Sequence, residues 1–219
     1  MLSKPILYLF EKVDIFIVKW NSYLYFHIPS KGDNLMKIYA SYGTFGYLNQ
    51  IRLNNPDHNL LQFSASDSSV ILEETDQTSV LKQPLVYDVL KAEGDLNENY
   101  FYSVIFVPTS EDHAYQLEKR LENITADFKQ FAGYRSYRFL KPDQGLTYKI
   151  YFGFESRTAY EDFKASSIFK DNFDKLALSQ FFGSSGQHSS YFERYLFPID
   201  DNWFNVMNLK TLFMSKQMT

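Results

Sequence analysis

The stretch FYSVIFVPTSEDHAYQLEKRLENITADFKQF, at residues 101–131, decides the fold of this chain. Its opening residues are mostly β-branched or aromatic, which predicts a buried strand at 101–107. Ser110 can then cap a helix, because its hydroxyl can accept a hydrogen bond from a free N–H of the first turn. Apolar residues follow at intervals of four, three, four and three, which predicts one helix with a single buried stripe: Leu117, Leu121, Ile124, Phe128 and Phe131.

The residues after this helix complete an alternating order of strands and helices. Strands are predicted at 134–140 and 147–154, Ser156 can cap a second helix, and a last strand is predicted at 190–197. The order strand, helix, strand, strand, helix, strand is that of a ferredoxin-like α+β fold. Helices cover only one face of such a sheet, so its second, aromatic-rich face needs a cover. We expect a second copy of the chain to provide it.

Residues before position 99 predict a smaller, strand-rich region. Alternating residues and intervening turn residues indicate strands at Lys37–Gly43, 60–64 and 69–73. A helix is predicted at 83–93, because Pro84 suits a first helical turn and three apolar residues share one face.

The chain is therefore expected to have four segments. They are a translated leader or disordered arm, an α+β region, a ferredoxin-like region and a tail, at 1–35, 36–98, 99–200 and 201–219. The first segment contains neither a run of about 20 apolar residues nor a small-residue cleavage signal. Its Lys-Gly-Asp at 31–33 can be encoded as a strong bacterial ribosome-binding sequence, and Met36 follows a few codons later. We expect Met36 to be the start of the protein; an amphipathic arm is the alternative.

The composition excludes several classes of function. The 219 residues are 45% apolar and 22% charged, which suits a folded chain with a large core. The absence of cysteine excludes disulfides, thiol nucleophiles and thiolate metal sites, and suits a cytoplasmic protein. A net charge of -4 and scattered basic residues predict no nucleic-acid partner. The acidic run at 73–76 is expected to be a solvated strand end, because neighbouring strand residues point to opposite faces, so no metal is expected.

Six long strings of the sequence carry a family resemblance: KIYASYGTFGYLNQI, LLQFSASDSSVILEETD, TSEDHAYQLEK, TYKIYFGF, AYEDFK and FGSSGQHSSYFERYLFPI. Through them, residues 36–200 resemble the TRAP family of staphylococcal signal transduction proteins, the targets of RNAIII-activating protein. The resemblance implies a dimeric α/β-barrel of the antibiotic-biosynthesis-monooxygenase superfamily. It also implies a homodimer with a role in virulence, quorum-sensing or stress regulation, proposed to be membrane-associated and phosphorylated on histidine. The signalling partner is unknown.

The same superfamily contains haem-degrading monooxygenases, which are the alternative function. Those enzymes are expected to carry an asparagine, a tryptophan and a haem-ligating histidine at positions that correspond to Ile105, Phe154 and Phe173 here. A phenylalanine has no lone pair for iron, and an axial haem ligand needs one. The sequence therefore predicts a non-catalytic relative of these enzymes, with no catalytic residue and no cofactor.

Two histidines are candidate phosphorylation sites through the family resemblance. They are His113, at the start of the first predicted helix, and His188, in the small-residue loop GSSGQHSSYFERY at 183–195. A third histidine proposed in the family corresponds to Tyr100, so a relay that needs all three is not intact. The alternative for His113 and His188 is a structural role. His58 is expected to be an ordinary residue of a surface turn.

The tail at 201–219 carries apolar residues at helical spacing: Val206, Leu209 and Phe213. This pattern predicts a short amphipathic helix that packs on the barrel or touches a membrane surface. A cytoplasmic protein with possible peripheral membrane association is the corresponding expectation for localisation.

Overall fold

The computed structural model describes residues 16–20, 23–27, 36–183 and 191–199, and only the backbone path of the first two stretches. The chain divides into two units, at 1–34 and 35–219. In the first unit, strands β1 (Phe16–Trp20) and β2 (Tyr23–His27) form an antiparallel hairpin. The expectation that residues 1–35 are a leader stays a prediction.

The second unit alternates strands and helices along the chain. Its elements are β3 (Lys37–Gly43), α1 (Phe45–Asn54), β4 (Leu60–Ser64), β5 (Ser69–Thr75), β6 (Leu85–Glu93), β7 (Phe101–Pro108), α2 (Glu111–Glu122), β8 (Tyr134–Pro142), β9 (Thr147–Phe154), α3 (Arg157–Ala165), α4 (Ser167–Asn172), α5 (Lys175–Leu178) and β10 (Phe192–Leu196). Short 3-10 turns lie at Phe128–Gln130 and Ser179–Phe181. The strands β3 to β10 form one antiparallel sheet.

The second half of this sheet has the predicted ferredoxin-like topology. In chain order its strands are β7, β8, β9 and β10, and in space they lie in the order β10-β7-β9-β8. The helix α2 connects β7 to β8, and α3 to α5 connect β9 to β10. The prediction of an α+β, ferredoxin-like fold is confirmed.

The first half repeats the same strand arrangement. Its strands β3, β4, β5 and β6 lie in the order β6-β3-β5-β4, with α1 between the first two, and no helix connects the last two. The two halves join where β6 pairs with β8. Local sequence patterns did not predict this internal repeat.

The two edge strands of the sheet meet, so the sheet closes almost completely into a barrel. Beyond the end of β10, the N–H of Phe197 donates to the Ser64 carbonyl at 2.8 Å, and the N–H of Ser64 donates to the Phe197 carbonyl at 2.9 Å. The barrel interior is filled by buried side chains from both halves, among them Ile38, Phe63 and Tyr151. The aromatic face that we expected a second chain to cover is therefore covered within one chain.

A second core lies on the outer face of the second half, between the sheet and its helices. It holds many aromatic rings, including Phe152, Phe163 and Phe173, all of them fully buried. The rings of Phe152 and Phe163 lie 5.0 Å apart, and those of Phe152 and Phe173 lie 4.9 Å apart, edge to face. Such ring pairs add to the stability that burial itself gives.

Two sequence predictions about helices were wrong. Residues Leu85–Glu93 form the strand β6, because β3 and β8 pair with its two edges, and that pairing outweighs the helical signal at Pro84. The helix predicted to reach Phe131 ends at Glu122. Phe128 still joins the buried core, but it does so from a separate 3-10 turn.

Candidate functional site

The space between the sheet and the helices of the second half is filled by side chains. Ile105, Phe154 and Phe173, at the positions where haem-degrading enzymes are expected to carry their functional residues, are each fully buried. The ring of Phe154 stacks on that of Phe163 at 5.5 Å, and the ring of Phe173 lies 5.9 Å from that of Phe128. Close packing of this kind leaves no room for a cofactor among these described side chains. None of the three side chains offers a donor atom for iron.

His113 lies at the third position of α2, where its ring is partly exposed. Its Nδ1 lies 3.0 Å from the Ser110 hydroxyl, and its backbone N–H donates to the Ser110 carbonyl at 3.1 Å. Ser110 is the N-cap residue, as predicted, but its hydroxyl contacts the imidazole and does not bond a backbone N–H. The ring is thus oriented by its neighbour, with Glu111 and Asp112 in the same turn.

His188 and the tail at 201–219 lie outside the described residues. The structure therefore does not bring His113 and His188 together in one described site. Tyr191, three residues after His188, donates its hydroxyl to the Phe173 carbonyl at 2.7 Å. Tyr100, the third position of the resembling family, is partly exposed below the Arg135 guanidinium, at 5.9 Å from it.

The acidic run at 73–76 lies at the end of β5 and Asp76 is exposed, as expected, but the expectation that the run is solvated is wrong for Glu73. Glu73 is almost fully buried and accepts hydrogen bonds from the Ser79 hydroxyl and the Val80 N–H, at 2.5 and 3.3 Å. The other carboxylate oxygen of Glu73 contacts Nδ1 of His58, at 2.6 Å. His58 is therefore held by a buried carboxylate, and it lines a polar cleft of about 330 Å³. The sequence around His58 does not signal this pairing, because His58 lies in the turn before β4 and Glu73 lies on β5.

Lys149 is the most unusual polar side chain that the sequence analysis missed. It is the third residue of β9, is 1% exposed, and faces the barrel interior. Burial, and to a smaller extent the positive charge of Arg194, lower the pKa of Lys149 to about 7. A lysine within the apolar and aromatic string TYKIYFGF was the sequence signal for a buried charge. In the structure, strands pair with both edges of this segment.

Within the described ranges, no group of three or more histidine, aspartate or glutamate side chains is placed to hold a metal ion. None of the helices in those ranges is long and apolar enough to cross a membrane.

Comparison with known proteins places this geometry in a family. The family model for antibiotic biosynthesis monooxygenase matches residues 100–175. The signal transduction proteins TRAP of Staphylococcus aureus strains MRSA252 and MSSA476 are 60% and 61% identical to the chain over 167 residues. The match covers 76% of this chain and 100% of each relative.

Solved structures with the same fold include regulators and enzymes. One, described as a major regulator of staphylococcal pathogenesis, is 57% identical with a TM-score of 0.70, covering 75% of this chain and 99% of that one. A heme-degrading enzyme from Listeria monocytogenes is 18% identical with a TM-score of 0.58, covering 74% and 99% of the two chains. The second likeness shows the fold alone. Because the TRAP proteins of Staphylococcus aureus are 60% and 61% identical to it over their whole length, this chain belongs to the TRAP family of signal transduction proteins.

Proposed function

We propose that this protein is a non-catalytic signal transduction protein that regulates virulence-related gene expression. The resemblance to the TRAP family extends the proposal to quorum-sensing and stress responses. The identity to the TRAP proteins spans their whole length, which supports a shared role.

The observation that carries the proposal is the filled core beneath the helices. A haem-degrading enzyme needs a pocket, an axial ligand and polar groups near the reacting carbon. Here, the corresponding positions Ile105, Phe154 and Phe173 are apolar and fully buried among other rings. The barrel therefore serves as a scaffold, and its surface is the part available for signalling.

Histidine phosphorylation at His113 and His188 is the proposed means of regulation. His113 lies in the first turn of α2, so a phosphoryl group on its imidazole would lie near the free N–H groups and the positive end of the helix dipole. The partial exposure of His113 and its contact with Ser110 support an accessible, oriented ring. The carboxylates of Glu111 and Asp112 oppose a phosphoryl group at the same place, so a phosphorylated state would rearrange this turn.

The test compares the native bacterium with a strain in which the gene is deleted. Transcripts are measured in the deletion strain complemented by the wild type, by His113→Ala, by His188→Ala or by the double variant. We expect deletion to change virulence transcripts and the double variant to fail to restore them. Full restoration by the double variant would refute the phosphohistidine mechanism, and unchanged transcripts on deletion would refute the regulatory role. Phosphohistidine detection under non-acidic conditions gives the matching chemical readout.

The resemblance to the TRAP family extends the proposal to a cytoplasmic homodimer with peripheral membrane contact through residues 201–219. Because the inner face of the sheet is covered within one chain, the dimer contact would lie on another surface. Light scattering during size-exclusion chromatography measures the dimer directly, and a monomer mass would refute it. Cell fractionation of the full chain against a chain that ends at position 200 measures membrane contact. Equal distribution of the two chains would refute a role for the tail.

A further inference from the structure

Lys149 lies inside the barrel with no carboxylate partner among the described residues. Its backbone is opposite Phe106 on β7 and Leu140 on β8. Its Nζ donates to the Tyr42 hydroxyl at 3.3 Å and lies 4.2 Å from the ring centre of Tyr87 and 4.9 Å from that of Phe106. The ring faces attract a cation, but among the described residues only the Tyr42 hydroxyl accepts a hydrogen bond, from one of the three N–H donors of the ammonium group. Two donors therefore remain for another partner.

A second cation approaches the same tyrosine. Arg194 lies opposite Val104, so its side chain shares the inward face of β10, and its guanidinium carbon is 5.8 Å from the ring centre of Tyr42. In the part of the chain that the structure describes, no carboxylate forms an ion pair with Arg194 or with Lys149. The repulsion between the two cations adds to the effect of burial on the pKa of Lys149. Two positive side chains thus converge on one ring without a counter-charge.

The other titratable groups around Lys149 are tyrosines that keep their protons. Burial raises the pKa of Tyr42, and it raises the pKa of Tyr87 to about 12. The pKa of Tyr151 is raised well above its usual range, first by burial and then by the neighbouring Tyr42 and Tyr87. A neutral hydroxyl can donate a hydrogen bond. In the described structure, the polar groups that face Lys149 are therefore neutral hydroxyls and a cation, and none of them carries a negative charge.

Arg138, on β8, is a second buried cation in the barrel, and unlike Lys149 it has partners within the chain. It is 3% exposed, and its Nε and Nη2 donate to the two carboxylate oxygens of Glu74, at 2.6 and 2.9 Å. Its Nη1 donates to the carbonyls of Glu93 and Tyr137. All its charge and most of its donors are satisfied within the chain. The unpaired state of Lys149 and Arg194 is thus a local feature and is not a general property of the barrel.

We propose that Lys149, Arg194 and the Tyr42 hydroxyl form a binding site for a small oxyanion, a phosphate or a carboxylate. A negative oxygen placed between them would accept from the ammonium, the guanidinium and the phenol, and it would neutralise the excess positive charge. Side chains fill the barrel interior, so a ligand would reach Lys149 by moving the partly exposed side chains of Tyr42 and Arg194. The surrounding rings of Tyr87 and Phe106 limit the ligand to a small molecule. This site is independent of the proposed phosphohistidines.

The test titrates the purified full chain with inorganic phosphate in one arm and with acetate in the other. Chloride keeps the ionic strength constant, and the buffers contain no oxyanion. The readouts are the side-chain NMR signals of labelled lysine and the thermal midpoint. A bound anion should raise the pKa of Lys149 by about one unit or more, because an opposite charge favours the ammonium form. Binding by one anion alone identifies the ligand class and supports the site.

Two variants and a control separate this site from general surface binding. Lys149→Met and Arg194→Gln should each weaken binding by about tenfold or more, since each removes a charge-assisted hydrogen bond. Lys129→Met, at an exposed position, should bind as the wild type does. The proposal is overturned if neither anion shifts the Lys149 signal, or if the shift survives in Arg194→Gln. The Lys149 signal in Arg194→Gln tests the site even if Lys149→Met fails to fold.

Discussion

Replacing Lys149 by methionine should change how the stability of the protein depends on pH. The side chain is 1% exposed, and burial lowers its pKa from 10.5 to about 7. The folded chain therefore releases a proton that the unfolded chain keeps between about pH 7 and about pH 10.5. Because the unfolded state binds more protons in that window, the wild-type free energy of unfolding gains a positive contribution as pH rises.

The size of this contribution follows from the shift in pKa. One unit corresponds to about 1.36 kcal/mol, so the whole depression corresponds to an upper bound of roughly 5 kcal/mol. From about pH 7 to about pH 9.5, the contribution should change by roughly 3 kcal/mol. Lys149→Met lacks this titration but keeps a side chain of similar length. Its stability advantage over the wild type should therefore be largest near neutral pH and should shrink by that amount as pH rises.

Urea unfolding at several pH values, followed by circular dichroism, measures this difference. The tyrosines of the unfolded chain begin to ionise near the upper limit of the range, but they do so in both proteins and therefore cancel in the difference. Lys129→Met, an exposed control, should give a curve parallel to that of the wild type. Parallel curves for the wild type and Lys149→Met would show that Lys149 does not titrate in this window, and the reasoning about its burial would fail.

Two further predictions concern the backbone and the ion pairs of the barrel. Gly94→Ala should destabilise the protein by at least about 2 kcal/mol in urea unfolding, because φ is +62° and a Cβ would lie 2.1 Å from the Arg135 carbonyl oxygen; a loss below 0.5 kcal/mol, the usual limit for a neutral surface change, would contradict this geometry. Arg138→Met should cost about 3 to 5 kcal/mol, since it leaves the Glu74 carboxylate without its partner. The matched control Arg157→Met removes an exposed pair and should cost less than about 0.5 kcal/mol; similar losses for the two variants would refute the difference in burial.

Local patterns predicted the second half of the fold well. The strand at 147–154 and the helix that begins after Ser110 are set by residues close in sequence, and both are found as expected. Ser156 caps α3, with its hydroxyl accepting from the Ala159 N–H at 3.2 Å. These features depend on alternation, helical spacing and capping, which a sequence carries directly.

The barrel itself depends on pairings between distant strands. The joining of β6 to β8 and the contact of Ser64 with Phe197 bring together residues far apart in the chain. Pro84 favours a helix at 83–93 locally, but pairing with the distant strands β3 and β8 makes this segment the strand β6. The same limit hid the pairing of His58 with Glu73 and the convergence of Lys149 and Arg194 on Tyr42. In each case the sequence predicts the strands, but local patterns do not show which strands and turns lie side by side in the fold.

The central claim is that this TRAP-family barrel regulates without haem chemistry of its own. A haem titration of the purified full chain, followed by absorption spectra with and without a reductant, tests it most directly. Because Ile105, Phe154 and Phe173 fill the space beneath the helices and offer no ligand, we expect neither a saturable shift of the Soret band nor loss of haem. Saturable binding of one haem per chain, followed by formation of a ring-opened product, would contradict the claim.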